Sequence, residues 1–173
     1  MTVKKILVQG LTDNPGGIES LFLGYLSVID RDKYQLDFLV NTSTVAFEDK
    51  IEAYGSKIYK ITPRRKSRSK FYGDLDAFFS AHAAEYDAIW ENANSLANID
   101  YLIYAKRFGI PIRIMHGHNS TNSEGLVRGL LHSVNRLRVR SVATHFFSVS
   151  DEASVWLYGR DYAKLPNYRV ITN

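Results

Sequence analysis

The chain has 173 residues, 45% of them hydrophobic and 23% charged, with a formal net charge of +4. That length fits one domain with a sizeable core, and the composition excludes a disordered segment. The absence of cysteine excludes a disulfide scaffold and thiolate metal sites, and no stretch approaches the ~20 apolar residues of a spanning helix, so a cytoplasmic chain is expected.

Taken in chain order, the pattern alternates strand and helix. Ile6-Leu7-Val8 is a continuous apolar run, as in a strand buried on both faces. Ile18, Leu21, Phe22, Tyr25, Leu26 and Ile29 then recur at helical spacing. A strand is predicted over Leu36 to Val40, a short helix over Phe47 to Tyr54 and a third strand over Lys57 to Ile61. After the basic stretch Arg64 to Lys70 comes a helix over Asp74 to Ala84, with Leu75, Phe78 and Phe79 inward. "YDAIWEN" gives a fourth strand, and "LANIDYLIYAKRFG" a helix stopped by Gly109. "PIRIMHGH" gives a fifth strand. A longer helix follows from about Ser123 to Arg140, with Leu126, Leu130, Leu131, Val134 and Leu137 on one face. "THFFSVS" is a sixth strand, Asp151 to Tyr158 a helix that Ser150 can cap, and "YRVIT" the start of one more strand.

This order predicts an α/β fold: a doubly wound, mostly parallel, Rossmann-like sheet with helices on both faces. Ligands of such sheets bind beyond the carboxyl ends of the strands, near the switch point between the first strand and the fourth. The loops after strands one, four, five and six are therefore where a site is sought.

After strand one, "NPGGIES" places Gly16 and Gly17 at the start of a helix, where free N–H groups and the positive helix end favour an anion. A turn that needs positive φ explains the same pair equally well. The loop matches neither a dinucleotide fingerprint nor a phosphate-binding P-loop. After strand four stand Glu91, Asn92 and Asn94, where a carboxylate can accept from hydroxyls or cap the next helix. At the end of strand five, His116 and His118 fall on the same side by alternation, with Asn119 next in a polar tail running to Ser123. No third ligand falls in a recognisable metal pattern, so no metal is expected. His118 is the stronger functional candidate, and His116 reads as a buried histidine satisfied by backbone.

"PRRKSRSK" carries Arg64, Arg65, Lys66, Arg68 and Lys70 with no interleaved aromatic, which argues against nucleic acid. A solvated loop and a contact with anionic lipid or a polyanionic substrate both fit.

"GGIESLF", "DKYQLDFLV", "RIMHGHNST" and "FFSVSDEASVWLYG" together resemble the N-terminal domain of GT-B-fold retaining glycosyltransferases, family four, of the bacterial capsular and exopolysaccharide type. The resemblance spans essentially the whole chain, residues 1–173, with "RVITN" similar to the interdomain stretch; Thr172 stands where the family has proline before Asn173. It implies that Gly16 and Gly17 lie against the diphosphate and sugar of a nucleotide-sugar donor, that His118 contacts the transferred sugar, and that Asn119 beside it binds substrate. Glu91, Asn92 and Asn94 would face a glycan or lipid-linked acceptor. Glu19 matches the acid after the glycine pair. No cofactor is implied, and contact with the inner membrane face is peripheral if made. The family's second Rossmann-like domain, which carries most donor contacts, would lie beyond Asn173, so this chain reads as the acceptor-side half. The rival readings are a GT-B-like nucleotide-sugar epimerase, which needs further groups placed for proton transfer, and a non-catalytic binding module.

Overall fold

The computed structural model describes residues 2–119 and 125–171. Seven strands are present among them: β1 Lys4–Gln9, β2 Tyr34–Val40, β3 Ile58–Lys60, β4 Ala88–Ala93, β5 Ile112–Gly117, β6 His145–Ser148 and β7 Tyr168–Val170. Six α-helices alternate with them: α1 Gly17–Val28, α2 Glu48–Ala53, α3 Arg68–His82, α4 Asp100–Arg107, α5 Leu126–Val142 and α6 Asp151–Tyr158. All the strand pairs are parallel, in the order β3-β2-β1-β4-β5-β6-β7. The doubly wound, Rossmann-like sheet is therefore present, with its switch point between β1 and β4.

Each strand's alternation feeds two cores. Val8, Phe38 and Val40 pack with Phe22 and Leu26 of α1 and Ile51 of α2 on one face. Leu7, Leu39, Ile89, Met115 and Phe146 pack with Phe71, Leu75, Leu102, Val139 and Leu157 on the other, which α3 to α6 cover. The continuous apolar runs of β1 and β2 follow from this double burial.

Two boundaries and one face differ from expectation. Helix α3 begins six residues before Asp74, because the Ser67 side chain accepts from the Lys70 N–H and caps it. Arg68 and Lys70 thus stand in the first helical turn rather than in a loop. The segment Leu96–Ile99 is not helical, and α4 starts at Asp100 and ends at Arg107, with Gly109 at φ +84° just beyond it as the expected stop. In α5 the apolar stripe points away from the protein: Leu126 is 94% exposed, Leu130 68% and Leu137 75%. The buried face carries His132, Asn135, Val139 and Val142. His132 Nδ1 accepts from the Leu96 N–H at 3.1 Å, its Nε2 donates to the Trp156 carbonyl at 3.0 Å, and the Asn135 amide donates to the Leu96 carbonyl at 2.7 Å. These polar groups satisfy backbone the Leu96–Ile99 segment leaves unpaired, which an apolar side chain could not do. The expected helix start at Ser123, the polar tail from Ser120 to Ser123, and Thr172 and Asn173 lie outside the described residues. Among the described residues no helix is long and apolar enough to cross a membrane.

Candidate functional site

The strand order brings the ends of β1, β4 and β5 together. Gln9 pairs with Glu91 and Asn92 with His116, so the loops after these strands meet over one edge of the sheet. There they enclose a cleft of about 340 Å³ lined by Gly10, Asn14, the glycine pair, Glu19, Asn92, Asn94 and His118.

Gly16 is extended, at φ −138° and ψ −166°, and Gly17 is not among the positive-φ glycines, so neither is required by a left-handed turn. What Gly16 permits is closeness. A Cβ there would stand 3.0 Å from Glu19 Oε2. No side chain caps α1, so the N–H groups of its first turn are left without a side-chain acceptor at the exposed glycine pair. Glu19 is buried and its Oε1 accepts from both the backbone N–H and the hydroxyl of Thr12, at 2.8 and 2.9 Å, which ties the loop down. This carboxylate also offsets part of the positive helix end, so the turn is a weaker anion site than bare glycine implies.

The glycine with a strict steric demand is Gly10, which sequence reasoning passed over. It has φ +124°, and a Cβ would meet the Asn92 carbonyl oxygen at 2.6 Å and the Asn92 Cβ at 2.7 Å. A glycine directly after the first strand was the available signal.

Asn92 is buried and fully occupied. Its Nδ2 donates to the carbonyls of Gln9 and Trp90, at 2.9 and 3.2 Å. Only Oδ1 remains for His118, whose Nε2 lies 2.9 Å away. His118 Nε2 therefore carries the proton and Nδ1 keeps a lone pair. His116 is held in the same tautomer from the other nitrogen: Trp90 Nε1–H donates to its Nδ1 at 3.3 Å, so its Nε2 bears the hydrogen. Its partner is thus an indole rather than the backbone. The two rings lie 4.1 Å apart, on one side of the strand as alternation predicts. Among the described residues His116 Nε2 and His118 Nδ1 are both buried without a partner, and their polarities are complementary, donor and acceptor. Burial, with the neighbouring imidazole adding to it, holds His116 at about 3; burial holds His118 at about 4 against the opposing pull of Glu19. Both are neutral at pH 7.

Glu91 does not reach out like a free carboxylate. It is 2% exposed, accepts from the Leu102 N–H at 3.3 Å, and burial pushes it up to about 8, so it is mostly protonated at neutral pH. It lies in the wall of an adjoining cleft with Asn41, Asn94, Ser95 and Tyr101. Asn94 is exposed and lines both clefts. Asn119 is half-buried in the loop after His118 and is not among the residues lining these clefts.

The basic stretch lines a third and larger cleft of about 750 Å³, where Arg64, Arg65 and Arg68 meet Arg128 and Leu131 of α5. Thr12 and Asn14 border both this cleft and the glycine cleft. Arg64 leans on Asp100 at 3.6 Å and Lys70 pairs with Asp74 at 3.0 Å. Among the described residues no group of three or more His, Cys, Asp or Glu could hold a metal ion.

Three solved structures share this fold at low identity. A UDP-N-acetylglucosamine 2-epimerase superposes with a TM-score of 0.59 at 12% identity, over 90% of this chain and 44% of that one. MurG of Acinetobacter baumannii gives 0.58 at 14%, over 98% and 45%. UGT2 of Phytolacca americana, complexed with UDP-2-fluoro-glucose and pterostilbene, gives 0.63 at 8%, over 100% and 54%. The chain spans about half the length of these structures. The fold is Rossmann-like, of the kind that builds GT-B proteins. No protein-family description and no curated protein sequence matches the chain.

Proposed function

We propose that this chain is the N-terminal, acceptor-side half of a GT-B retaining glycosyltransferase. With a second domain it would move a hexose from a nucleotide-diphosphate sugar to a glycan or lipid-linked acceptor, in the manner of the family-four capsular and exopolysaccharide enzymes. The observation that carries this reading is the pair of buried, complementary imidazole atoms beside the glycine cleft. A hydroxyl both donates and accepts, so one sugar hydroxyl entering there satisfies His116 Nε2–H and His118 Nδ1 together, whereas a phosphate oxygen can only accept. The sugar belongs at the histidines and the diphosphate at the uncapped first turn of α1.

The chain's own residues bind and orient. Asn92 fixes the His118 tautomer, Glu19 and Thr12 hold the loop, and Gly16 and Gly17 let a charged group approach backbone N–H donors. Those donors stabilise the leaving diphosphate as charge builds on it. The two histidines and the protonated Glu91 supply no nucleophile; the donor phosphate assists the incoming hydroxyl. Arg64, Arg65, Lys66, Arg68 and Lys70 are assigned to an anionic acceptor or surface. The nucleotide sugar is a substrate, and no cofactor is invoked.

Similarity to an epimerase favours one second reading, on the same nucleotide sugars. Solvent deuterium separates the two. Epimerisation breaks and remakes a carbon–hydrogen bond, so recovered sugar gains deuterium; transfer leaves those bonds alone. In the two-domain protein given a nucleotide sugar in D2O, transfer or hydrolysis without label in the sugar is expected, and label at a sugar carbon overturns the transferase reading.

A further inference from the structure

Helix α5 presents Leu126, Val127, Leu130, Leu131, Val134 and Leu137 to solvent, each at least 43% exposed. These residues recur three and four apart and form one stripe roughly opposite the buried His132, Asn135 and Val139. An apolar row of this size on one helix marks a contact surface. Its charges decide which contact. The helix holds Arg128, Arg136, Arg138 and Arg140 and no acid, and 63–70 holds five cations and no acid. The two elements are far apart in sequence yet line one cleft, where Arg64, Arg65 and Arg68 face Arg128 and Leu131, with Asp13 the one carboxylate among its described lining residues. Arg65, Lys66 and Arg68 are exposed and have no ion pair among the described residues. Arg68 also stands in the first turn of α3, where the helix end adds positive potential.

We infer that the α5 stripe and the Arg65–Arg68 turn form one membrane-docking surface, with the leucines entering the acyl boundary of an anionic bilayer and the cations on its headgroups. A second copy of the chain is disfavoured as the occupant, because a two-fold contact through this face would oppose like-charged arginines. Apolar insertion and headgroup attraction are the two components that make an interfacial helix bind. The surface shares Thr12 and Asn14 with the glycine cleft, so docking would hold that cleft at the lipid interface. The inference goes beyond the transferase reading and does not depend on it.

The test is flotation of the chain with vesicles of phosphatidylglycerol mixed with phosphatidylcholine, against phosphatidylcholine alone. The parent should bind the anionic vesicles and release them as salt rises. Leu130→Glu with Leu137→Glu should weaken binding at least about tenfold at an unchanged thermal midpoint, since both side chains already face water. Arg65→Ala with Arg68→Ala should weaken it comparably and flatten the salt dependence. The chain has no native cysteine, so Leu130→Cys carries a single environment-sensitive dye whose emission should shift to the blue on anionic vesicles. Undiminished binding by the glutamate pair, a dye that stays in water, or equal binding to both vesicle types overturns the proposal. So does a dimeric parent that the glutamate pair turns monomeric while vesicle binding persists. His118→Ala should bind vesicles as the parent does, so failure of docking and failure of the transferase reading are told apart.

Discussion

The side-chain oxygen of Asn92 sits 2.9 Å from Nε2 of His118, while both amide hydrogens of Asn92 go to the carbonyls of Gln9 and Trp90. The orientation of one amide thus sets the protonation of an imidazole just beyond the neighbouring strand. Asn92→Asp removes both donations and sets a carboxylate against two carbonyl oxygens. It should cost about 1–3 kcal/mol in urea unfolding, and the new charge should raise the His118 pKa well above about 4. Titration of the imidazole by NMR checks this. A His118 that still titrates where it does in the parent would show that Asn92 does not control it.

Gly10 supports the same arrangement from below. Substitution by alanine puts a methyl group 2.6 Å from the Asn92 carbonyl oxygen, at a φ of +124° that side chains avoid. Neither clash is with the end of a flexible side chain, so the backbone must move. Gly10→Ala should lower stability by about 2 kcal/mol or more in thermal or denaturant unfolding, whereas Gly24→Ala, whose Cβ would meet open space, should be neutral or stabilising. Equal stability of the two variants would refute the packing.

Much of this was legible in the sequence because strand and helix periods are strong local signals. Alternation placed His116 and His118 on one side, and the strand–helix order gave the parallel sheet and its switch point. Periodicity shows that α5 is amphipathic, but not which face meets the protein. There the polar face won, because His132 and Asn135 close hydrogen bonds to the loop after β4, a long-range demand with no local trace. Likewise Glu91 read as a cleft carboxylate, since nothing nearby in sequence reveals that the fold would bury it. Gly10 drew no notice because its partner is Asn92, on another strand.

The buried titratable groups give stability two opposing dependences on pH. The folded chain keeps a proton on Glu91 up to about 8, whereas the unfolded chain releases it near 4.5. Its favourable contribution is therefore complete below 4.5 and lost as pH rises through about 8. His116 and His118 act in the other direction: unfolded imidazoles take protons below 6.5, but folded ones stay neutral down to about 3 and 4, so their contribution is complete above 6.5 and lost as pH falls. Glu91→Gln keeps an acceptor for the Leu102 N–H and removes only the alkaline loss. It should gain several kcal/mol over the parent at pH 8 and keep the same decline below 6.5. Chemical denaturation across pH measures both limbs, and an alkaline limb that survives the substitution would place its origin elsewhere.

Gly17→Val tests the backbone approach. The residue opens α1 in an exposed turn, so a branched side chain should leave the fold near parent stability while covering the free N–H groups. Sugar transfer by the two-domain protein should fall about a hundredfold, the scale for losing one preorganised donor to a developing anion. Unchanged turnover removes the glycine pair from the site.

The two histidines should separate by effect. His118 lines the cleft and His116 does not, so His118→Ala should cut transfer about a hundredfold with little change in stability. His116→Ala instead opens a cavity beside Trp90 and strips the indole N–H of its acceptor, which should cost about 2 kcal/mol, and loss of its single donor to the shared hydroxyl should lower transfer about tenfold, less than the His118 change, at temperatures where the protein is folded. The parent's acid limb of activity should fall near pH 4 rather than 6.5, because His118 loses its lone pair only when protonated. Kinetics and unfolding on both variants decide the matter. If His116→Ala proves the more damaging to turnover at equal folded fraction, the hydroxyl sits on the inner imidazole, and the cleft assigned to the sugar has the wrong wall.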